Sequence, residues 1–265
     1  MKKSVRYFQD KAPHRPPPLW LTSLEPGRFA AEYIALKASR RYLLRSAAGD
    51  GHSVIVLPGL FASDSTTKAL RTIVGEAGYS CVGWGQGTNL GPQGNDDLEN
   101  QLGELIEQRY KIAGNRPVTL IGWSLGGVYA RLAAHLSPDK VRQVITLGSP
   151  INGSPKLTNA WRLFELLSDV PVDASQNQEK LSRAMQALPV PGTSIYSKSD
   201  SIVAWQISRA AEGHMQQSIQ VPASHLGMAF NPLVVKLVLD LLTQDAAQWT
   251  PYEPNAPESW LYHAA

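Results

Sequence analysis

Residues 118–131 read VTLIGWSLGGVYAR, an apolar run followed at once by a glycine-flanked serine and a helix-forming segment. The run over residues 118–121 suits a buried strand. Gly122, Ser124 and Gly126 then spell the pattern G-x-S-x-G. A strand that passes through a sharp turn into a helix is the context that a nucleophile elbow requires. The stretch therefore predicts that Ser124 stands above the edge of a sheet, at the start of a helix.

The composition is that of an ordinary globular protein. The chain has 265 residues, of which 43% are hydrophobic and 18% charged, and its net charge is +3. That length fits one large α/β domain, and that charge is too small to favour a nucleic-acid partner. Residues 1–50 are more basic, with a net charge of +6. We interpret them as a solvated surface arm, with contact to an anionic membrane as the alternative.

Three features of the chain predict a cytoplasmic location. Cys81 is the sole cysteine, so no intramolecular disulfide can form. The basic start Met1-Lys2-Lys3 is followed by Ser-Val-Arg-Tyr-Phe-Gln-Asp rather than by the apolar region of a signal peptide. No stretch approaches the ~18 apolar residues that a transmembrane helix needs.

Strand and helix patterns alternate from residue 53 onward. Such alternation predicts an α/β fold, a mostly parallel, doubly wound sheet of about six strands. The predicted strands cover residues 53–57, 79–82, 118–121, 141–147, 193–196 and 218–221, and the predicted helices cover 27–46, 63–76, 96–113 and 233–242. Ser63 or Asp64 is expected to cap the second of these helices.

We predict a single domain with three parts. Residues 1–52 form an N-terminal arm and helix, residues 53–245 form the core, and residues 246–265 form a tail that wraps over the surface. The alternation breaks at residues 151–190, where two apolar-faced helices are expected over 157–167 and 179–188. We interpret this insertion as a helical lid, because its apolar faces would otherwise be exposed.

Three polar residues each follow the end of a predicted strand. Ser124 is the predicted nucleophile, and it needs a base because a free serine hydroxyl is too weakly acidic to attack an ester. His225 follows the last strand and is the predicted base. Asp200 follows the strand before it and is the predicted acid that orients the imidazole. The carboxyl ends of parallel strands share one edge, so we expect these side chains to meet there.

The site also needs donors for an oxyanion and a pocket for an acyl chain. The backbone N–H of Leu125 is the first predicted donor, since it directly follows the serine. The N–H of Leu60, in the loop after the first strand, is the second, with Phe61 as the alternative. Phe61, Trp123 and Trp161 are the predicted pocket residues, although core packing explains each aromatic residue equally well.

These motifs together resemble a known family, the bacterial lipase and esterase type of the α/β-hydrolase superfamily. The resemblance covers residues 53–242 and rests on Leu57-Pro-Gly-Leu60, Gly83-Trp-Gly-Gln-Gly87, Asn89-Leu-Gly-Pro92, Gly122-Trp-Ser-Leu-Gly-Gly127, Val144-Ile-Thr-Leu-Gly-Ser-Pro150, Tyr196-Ser-Lys-Ser-Asp200, Ser224-His-Leu-Gly227 and Asn231-Pro232. It implies a Ser124–His225–Asp200 triad, an oxyanion hole of the Leu60 and Leu125 amides, and hydrolysis of small-molecule or lipid esters through an acyl-enzyme. It implies no metal and no organic cofactor.

The chain departs from that family pattern in three places. Asp200-Ser201 stands where many relatives have Asp-Gly, so the local turn must differ. Pro58-Gly59 stands where lipases have His-Gly, so a hydrogen bond from that histidine is lost. The first 50 residues match no familiar lipase segment.

Other functions remain open at this stage. An acyltransferase would use the same triad but pass the acyl group to an alcohol or amine. A non-catalytic binding protein on a hydrolase fold is the less favoured alternative, because all three triad residues are present. A nucleotide-binding module is disfavoured, because the glycines at 83, 85 and 87 do not have the G-x-G-x-x-G spacing.

Overall fold

The structure is a computed structural model that describes residues 15–45, 48–91, 97–159, 175–210, 213–245, 248–254 and 262–264. Seven strands in these residues form one sheet, in the order β2-β1-β3-β4-β5-β6-β7. They are β1 (Ser53–Leu57), β2 (Ser80–Gly83), β3 (Val118–Trp123), β4 (Val141–Leu147), β5 (Gly192–Tyr196), β6 (Gln216–Gln220) and β7 (His263–Ala264). The first six run parallel, as predicted from the alternation.

The last strand was not predicted. β7 pairs antiparallel with β6, with Ile219 opposite Ala264 and Gln220 opposite His263. Two residues are too few to give a periodic pattern, so the sequence carries no strand signal there. The short strand covers part of the β6 edge, which would otherwise present unpaired backbone groups.

Seven α-helices lie in the described residues. They are α1 (Leu19–Thr22), α2 (Glu25–Leu43), α3 (Lys68–Glu76), α4 (Asp97–Ile112), α5 (Leu125–Leu136), α6 (Ser175–Met185) and α7 (Pro232–Leu242). None of these helices is both long and apolar enough to cross a membrane.

The core lies on both faces of the sheet, as a doubly wound arrangement requires. Alternate residues of β1 face opposite sides: Val54 and Val56 belong to one apolar cluster, Ile55 and Leu57 to the other. Helices α2, α3 and α7 cover the first face, and α4 and α5 cover the second. Both faces of the central strands are therefore buried from solvent.

The N-terminal helix α2 is docked on this core. Leu36 and Leu43 are buried, and the Phe29 and Tyr33 rings meet the Phe230 ring edge-on at centroid distances of 5.0 and 5.7 Å. Phe230 ends the short 3-10 turn Met228–Phe230 that precedes α7. Helix α2 thus packs beside the segment that follows the last parallel strand.

Only part of the predicted lid lies within the described residues. Helix α6 corresponds to the predicted helix at 179–188, and it packs against α5 through Leu181 and Ala184. The buried Arg131 of α5 donates hydrogen bonds to the carbonyl oxygens of Ala184 and Gln186, 2.5 and 2.6 Å away. Most of the other predicted helix, 157–167, falls outside the described residues, and the role of the insertion as a lid stays a prediction.

The predicted cap at Ser63 or Asp64 is wrong. Helix α3 begins later, at Lys68, and the Asp64 carboxylate instead accepts hydrogen bonds from the backbone N–H groups of Trp84 and Gly85, both at 3.0 Å. The Asp64 carboxylate therefore joins the segment before α3 to the end of β2. Asp64 therefore bonds to backbone groups distant in sequence, and not to the first turn of the following helix as its pattern predicts.

We predict that Gly126→Ala destabilises the fold. A Cβ at Gly126 would lie 2.2 Å from the Leu57 carbonyl oxygen and 2.7 Å from that of Pro58, so α5 would be pushed away from β1. We expect a loss of at least about 2 kcal/mol in the free energy of unfolding, measured by urea denaturation. Gly103→Ala in α4 is the control, because a Cβ there meets nothing within 4 Å. The control should be neutral or stabilise by about 0.5–1 kcal/mol; equal effects at both positions would contradict the packing argument.

Candidate active site

The serine lies in a strained turn between β3 and α5. Ser124 has φ 54° and ψ −123°, a backbone conformation that residues with a Cβ rarely adopt. The glycines around it make room for the turn, since a Cβ on Gly122 would lie 2.3 Å from the Gly126 carbonyl oxygen. A Cβ on Gly127 would lie 2.0 Å from the Ser149 hydroxyl oxygen. The G-x-S-x-G pattern is therefore a requirement of close packing as well as of the turn.

The three side chains that the sequence places at strand ends meet in one hydrogen-bonded chain. The Ser124 Oγ lies 3.1 Å from His225 Nε2, and His225 Nδ1 lies 2.7 Å from Asp200 Oδ2. Ser124 follows β3, Asp200 follows β5 and His225 follows β6. The carboxylate is fully buried and the imidazole nearly so. This geometry allows an imidazole to take the serine proton while a carboxylate holds its opposite nitrogen.

Asp200 is fixed by its own turn. Its Oδ1 accepts hydrogen bonds from the backbone N–H groups of Ile202 and Val203, both at 2.8 Å, which leaves Oδ2 for His225. Ser201 stands where many hydrolases have glycine, and its hydroxyl donates to Glu25 Oε1 at 2.8 Å. The turn therefore differs from the family pattern by gaining a partner in α2.

Gly148, directly after β4, leaves the space that the Asp200 and His225 side chains occupy. Its φ is +54°, and a Cβ there would lie 3.0 Å from Asp200 Oδ2 and 3.4 Å from His225 Nδ1. Sequence analysis missed this role, although Gly148 lies in one of the motifs that carry the family resemblance.

The loop after β1 reaches the serine. A Cβ on Gly59 would lie 3.0 Å from the Ser124 Cβ, so the backbone next to Leu60 passes close to the serine. The N–H of Phe61, the alternative donor, is already bonded to the Asn89 carbonyl oxygen at 2.7 Å. Asn89 also donates from Nδ2 to the Pro58 carbonyl oxygen at 2.9 Å. Asn89 thus holds this loop on both sides of Gly59 and Leu60, in a chain that lacks the lipase histidine.

The other predicted donor, Leu125, is the first residue of α5. The N–H groups of a first helical turn have no partner within the helix, and the positive end of the helix dipole lies there. The helix start beside Ser124 is therefore suited to stabilise negative charge.

Opposing effects act on the pKa of the His225 imidazole. Burial lowers it, while the charge and hydrogen bond of Asp200 and the charge of Glu25 raise it. The net direction is upward from the ordinary value. The imidazole is consequently a stronger base than a free histidine, and negative charge behind it favours its protonated form.

The predicted pocket residues lie in different surroundings. Trp123 is buried and donates from Nε1 to the His225 carbonyl oxygen at 3.1 Å, so it braces the histidine loop. Phe61 is 37% exposed and lies in the loop beside the serine. Trp161 lies outside the described residues. An acyl pocket lined by these residues stays a prediction.

A second histidine has similar partners at the opposite end of the sheet. His52 Nδ1 lies 2.5 Å from Asp50 Oδ1, and its Nε2 lies 3.0 Å from the Thr119 hydroxyl oxygen. His52 and Thr119 are both buried, and burial lowers the pKa of this imidazole despite the neighbouring Asp50. We assign the His52 cluster a structural role, because both ring nitrogens of His52 have partners inside the protein.

Two glutamates of α2 are functional candidates that sequence analysis missed. Glu25 is 1% exposed and accepts hydrogen bonds from the backbone N–H groups of His225 (3.2 Å) and Leu226 (2.8 Å). Glu32 accepts hydrogen bonds from the Ser224 N–H at 2.8 Å and the Ser224 hydroxyl at 2.5 Å. Their spacing of seven residues, two helical turns, was the available signal, because it puts both carboxylates on one face.

Solved structures with the same fold include several ester hydrolases. Aspergillus fumigatus lipase B is 20% identical with a TM-score of 0.57; the match covers 92% of this chain and 62% of the fungal protein. A Bacillus licheniformis lipase is 18% identical with a TM-score of 0.53, over 76% of this chain and 95% of that one. A Bacillus subtilis carboxylesterase is 13% identical with a TM-score of 0.51, over 80% and 99%. At these identities the comparison establishes the α/β-hydrolase fold.

Sequence comparison gives a family as well as a fold. No curated protein matches the chain. The family model of the PGAP1-like alpha/beta domain matches residues 95–231, just over half of the chain and the part that contains Ser124, Asp200 and His225. The chain therefore belongs to the family of PGAP1-like alpha/beta domains.

Proposed function

We propose that this protein is a serine hydrolase that cleaves carboxylic esters through an acyl-enzyme. One observation carries the proposal: the unbroken chain of contacts from Ser124 Oγ through both nitrogens of His225 to the buried Asp200 carboxylate. A hydroxyl, an imidazole and a carboxylate in this order are the parts of a serine nucleophile that is activated by a general base. Names of structural neighbours, which are lipases and a carboxylesterase, agree with this chemistry.

The reaction begins with proton transfer from Ser124 to His225 Nε2. The serine oxygen then forms a bond to the ester carbonyl carbon, and the carbonyl oxygen becomes an oxyanion beside the N–H groups of Leu60 and Leu125. Collapse of this intermediate breaks the bond to the alcohol oxygen, which takes the proton from His225. Water, deprotonated by the same imidazole, attacks the carbonyl carbon of the acyl-serine. The bond from that carbon to Ser124 Oγ then breaks, Oγ takes the proton back from His225, and the acid is released. Asp200 stays ionised and stabilises the imidazolium in both halves.

The substrate class follows from the surroundings of the serine. Phe61, Leu90 and Leu226 are large apolar side chains with 37–48% exposure, and Phe61 and Leu226 belong to the loops that carry the Leu60 amide and His225. An apolar rim favours an ester with a short to medium acyl chain over a charged substrate. An alcohol or amine acceptor in place of water would make the same site an acyltransferase.

Further exposed apolar side chains lie at the start of the N-terminal helices. Leu19, Trp20 and Leu24 are 73%, 65% and 48% exposed, and Glu25 next to them contacts the histidine loop. Exposed Trp and Leu beside an excess of basic residues suit an anionic lipid surface. We extend the proposal accordingly: this end of the molecule makes a peripheral contact with anionic membranes, where a lipid ester would be presented to the site.

Loss of either proton-transfer partner should abolish turnover. We expect Ser124→Ala and His225→Asn to lower kcat/KM on p-nitrophenyl butyrate by at least about 10³-fold, because each removes a member of one cooperative unit. His214→Asn, an exposed histidine, is the control and should retain wild-type activity. Undiminished activity in Ser124→Ala would contradict the proposal. If esters are consumed only after addition of an alcohol or amine, the protein is an acyltransferase.

The pH dependence of kcat/KM should report the state of His225. Only the neutral imidazole accepts the serine proton, so activity is low in acid and rises as the pH passes the pKa of His225. Because that pKa is raised, the midpoint of the rise should lie above the ~6.5 of an ordinary histidine. Initial rates at low substrate concentration between pH 5 and 9 measure it. A midpoint below 6.5 would contradict this assignment of charges.

The membrane contact can be tested without the reaction. Trp20→Ser combined with Leu24→Ser should reduce sedimentation with phosphatidylcholine vesicles that contain 30 mol% phosphatidylglycerol (about one lipid in three), while leaving hydrolysis of a soluble ester unchanged. Ile34→Ser is the control, because Ile34 is 67% exposed on α2 but lies ten residues beyond Leu24. Equal binding by wild type and the double variant would refute the contact.

A further inference from the structure

Helix α2 contacts both loops that supply the acid and the base. Glu25 Oε1 accepts a hydrogen bond from the Ser201 hydroxyl at 2.8 Å, next to Asp200, and one from the His225 N–H at 3.2 Å. Its Oε2 accepts a hydrogen bond from the Leu226 N–H at 2.8 Å. One buried side chain thus joins the turn after β5 to the loop after β6. Both of its oxygens accept hydrogen bonds, which is the pattern of a carboxylate group.

A buried carboxylate needs compensation for the loss of water, and Glu25 has it. Besides its three hydrogen-bond donors, Arg28 lies one turn along α2, with Nη1 3.6 Å from Glu25 Oε1. The same guanidinium donates to the Ser199 carbonyl oxygen at 2.7 Å and to the Ser199 hydroxyl at 2.8 Å. Arg28 is therefore shared between Glu25 and the acid loop, and it holds the helix against that loop.

We propose that Glu25 is a positioning residue for the reaction at Ser124, holding the backbone of His225 in place and supplying a second negative charge behind its imidazole. This inference rests on the proposed function. Glu25 meets no reacting atom: it acts on the base through the His225 and Leu226 backbone and through its charge.

Four charged groups lie around His225, and Glu25 is one of two that raise the pKa of its imidazole. Asp200 contacts the ring directly at 2.7 Å, and Glu25 contacts the backbone N–H of the same residue. Arg28 is the facing cation, and its charge is shared with the Ser199 loop. Glu32 contacts the loop at Ser224, one residue before the histidine. Asp200 and Glu25 both raise the pKa of His225 against the lowering effect of burial.

Glu32 provides a matched control on the same helix. It accepts hydrogen bonds from the Ser224 N–H and hydroxyl and from Asn231 Nδ2, so it braces the same loop through comparable contacts. It has no hydrogen bond to His225 or Leu226 and does not contribute to the raised pKa of the imidazole. A purely structural role for Glu25 would make the two glutamates equivalent.

The test compares Glu25→Gln with Glu32→Gln in the full chain. The amide removes the charge of Glu25 and replaces one acceptor by a donor that opposes the Leu226 N–H. We expect the acid limb of the kcat/KM profile to move to lower pH, because a negative charge near the imidazole is lost. We expect kcat to fall by roughly tenfold to a hundredfold with KM little changed, as for a misplaced catalytic group. In Glu32→Gln the limb should stay where wild type has it.

The outcomes separate the two levels of proposal. An unmoved limb in Glu25→Gln, or an equal shift in Glu32→Gln, overturns the role of Glu25 while ester hydrolysis stands. If wild type hydrolyses no ester, the His225 ring resonances titrated by NMR in wild type and Glu25→Gln still report the charge: a lower pKa in the variant supports the inference and an unchanged one overturns it.

A second variant, Glu25→Asp, tests the positioning role even if Glu25→Gln does not fold. Glu25→Asp keeps the charge but draws the carboxylate back by one methylene, so the contacts with Ser201, His225 and Leu226 cannot all be kept. We expect kcat to fall while the acid limb stays near its wild-type position. Wild-type kcat in Glu25→Asp would overturn the positioning role.

Discussion

The site depends on burying negative charge behind one imidazole. A carboxylate moved out of water is costly unless its oxygens are satisfied, and an unpaired one would destabilise the fold by several kcal/mol. Asp200 meets this requirement with two backbone N–H groups and His225, and Glu25 meets it with a hydroxyl and two further N–H groups. Because every donor belongs to a loop at the carboxyl edge, satisfying the carboxylates also fixes the loops. The same hydrogen bonds therefore stabilise the buried charges and hold the loops in position.

Close backbone approach is the second constraint on this edge. Gly59, Gly122, Gly126 and Gly148 each stand where a Cβ would collide with, or press closely on, the serine turn, β1 or the acid–base pair. The central strands are packed between two apolar clusters, and most residues of α5 are buried, so little room is left for an added Cβ. The strained φ of Ser124 persists in such surroundings, since relaxing it would require moving α5 or β3. The fold thereby holds the serine hydroxyl toward His225 before any substrate binds.

The sequence predicts the parts of this architecture that are local or periodic. Strand and helix alternation predicts the six parallel strands, and the position of Ser124, Asp200 and His225 after the third, fifth and sixth strands predicts that they meet. It does not predict contacts made across the chain. Asp64 has the pattern of a helix cap, yet its best partners are the Trp84 and Gly85 amides about 20 residues away. Glu25 has the pattern of a solvated residue near a helix start, and only the docked position of α2 reveals its burial. β7 is too short to leave a pattern at all.

The N-terminal helix α2 contacts the turn that carries Asp200. Ser201 stands where the family pattern has glycine, and its hydroxyl donates to Glu25 of α2. Since α2 holds the loop at Ser224, His225 and Leu226, we expect local opening of α2 to free the His225 loop while leaving the sheet intact. Integrity of the acid–base pair is thus coupled to docking of a helix more than 170 residues away in sequence, and to the aromatic contacts of Phe29 and Tyr33 that hold it there.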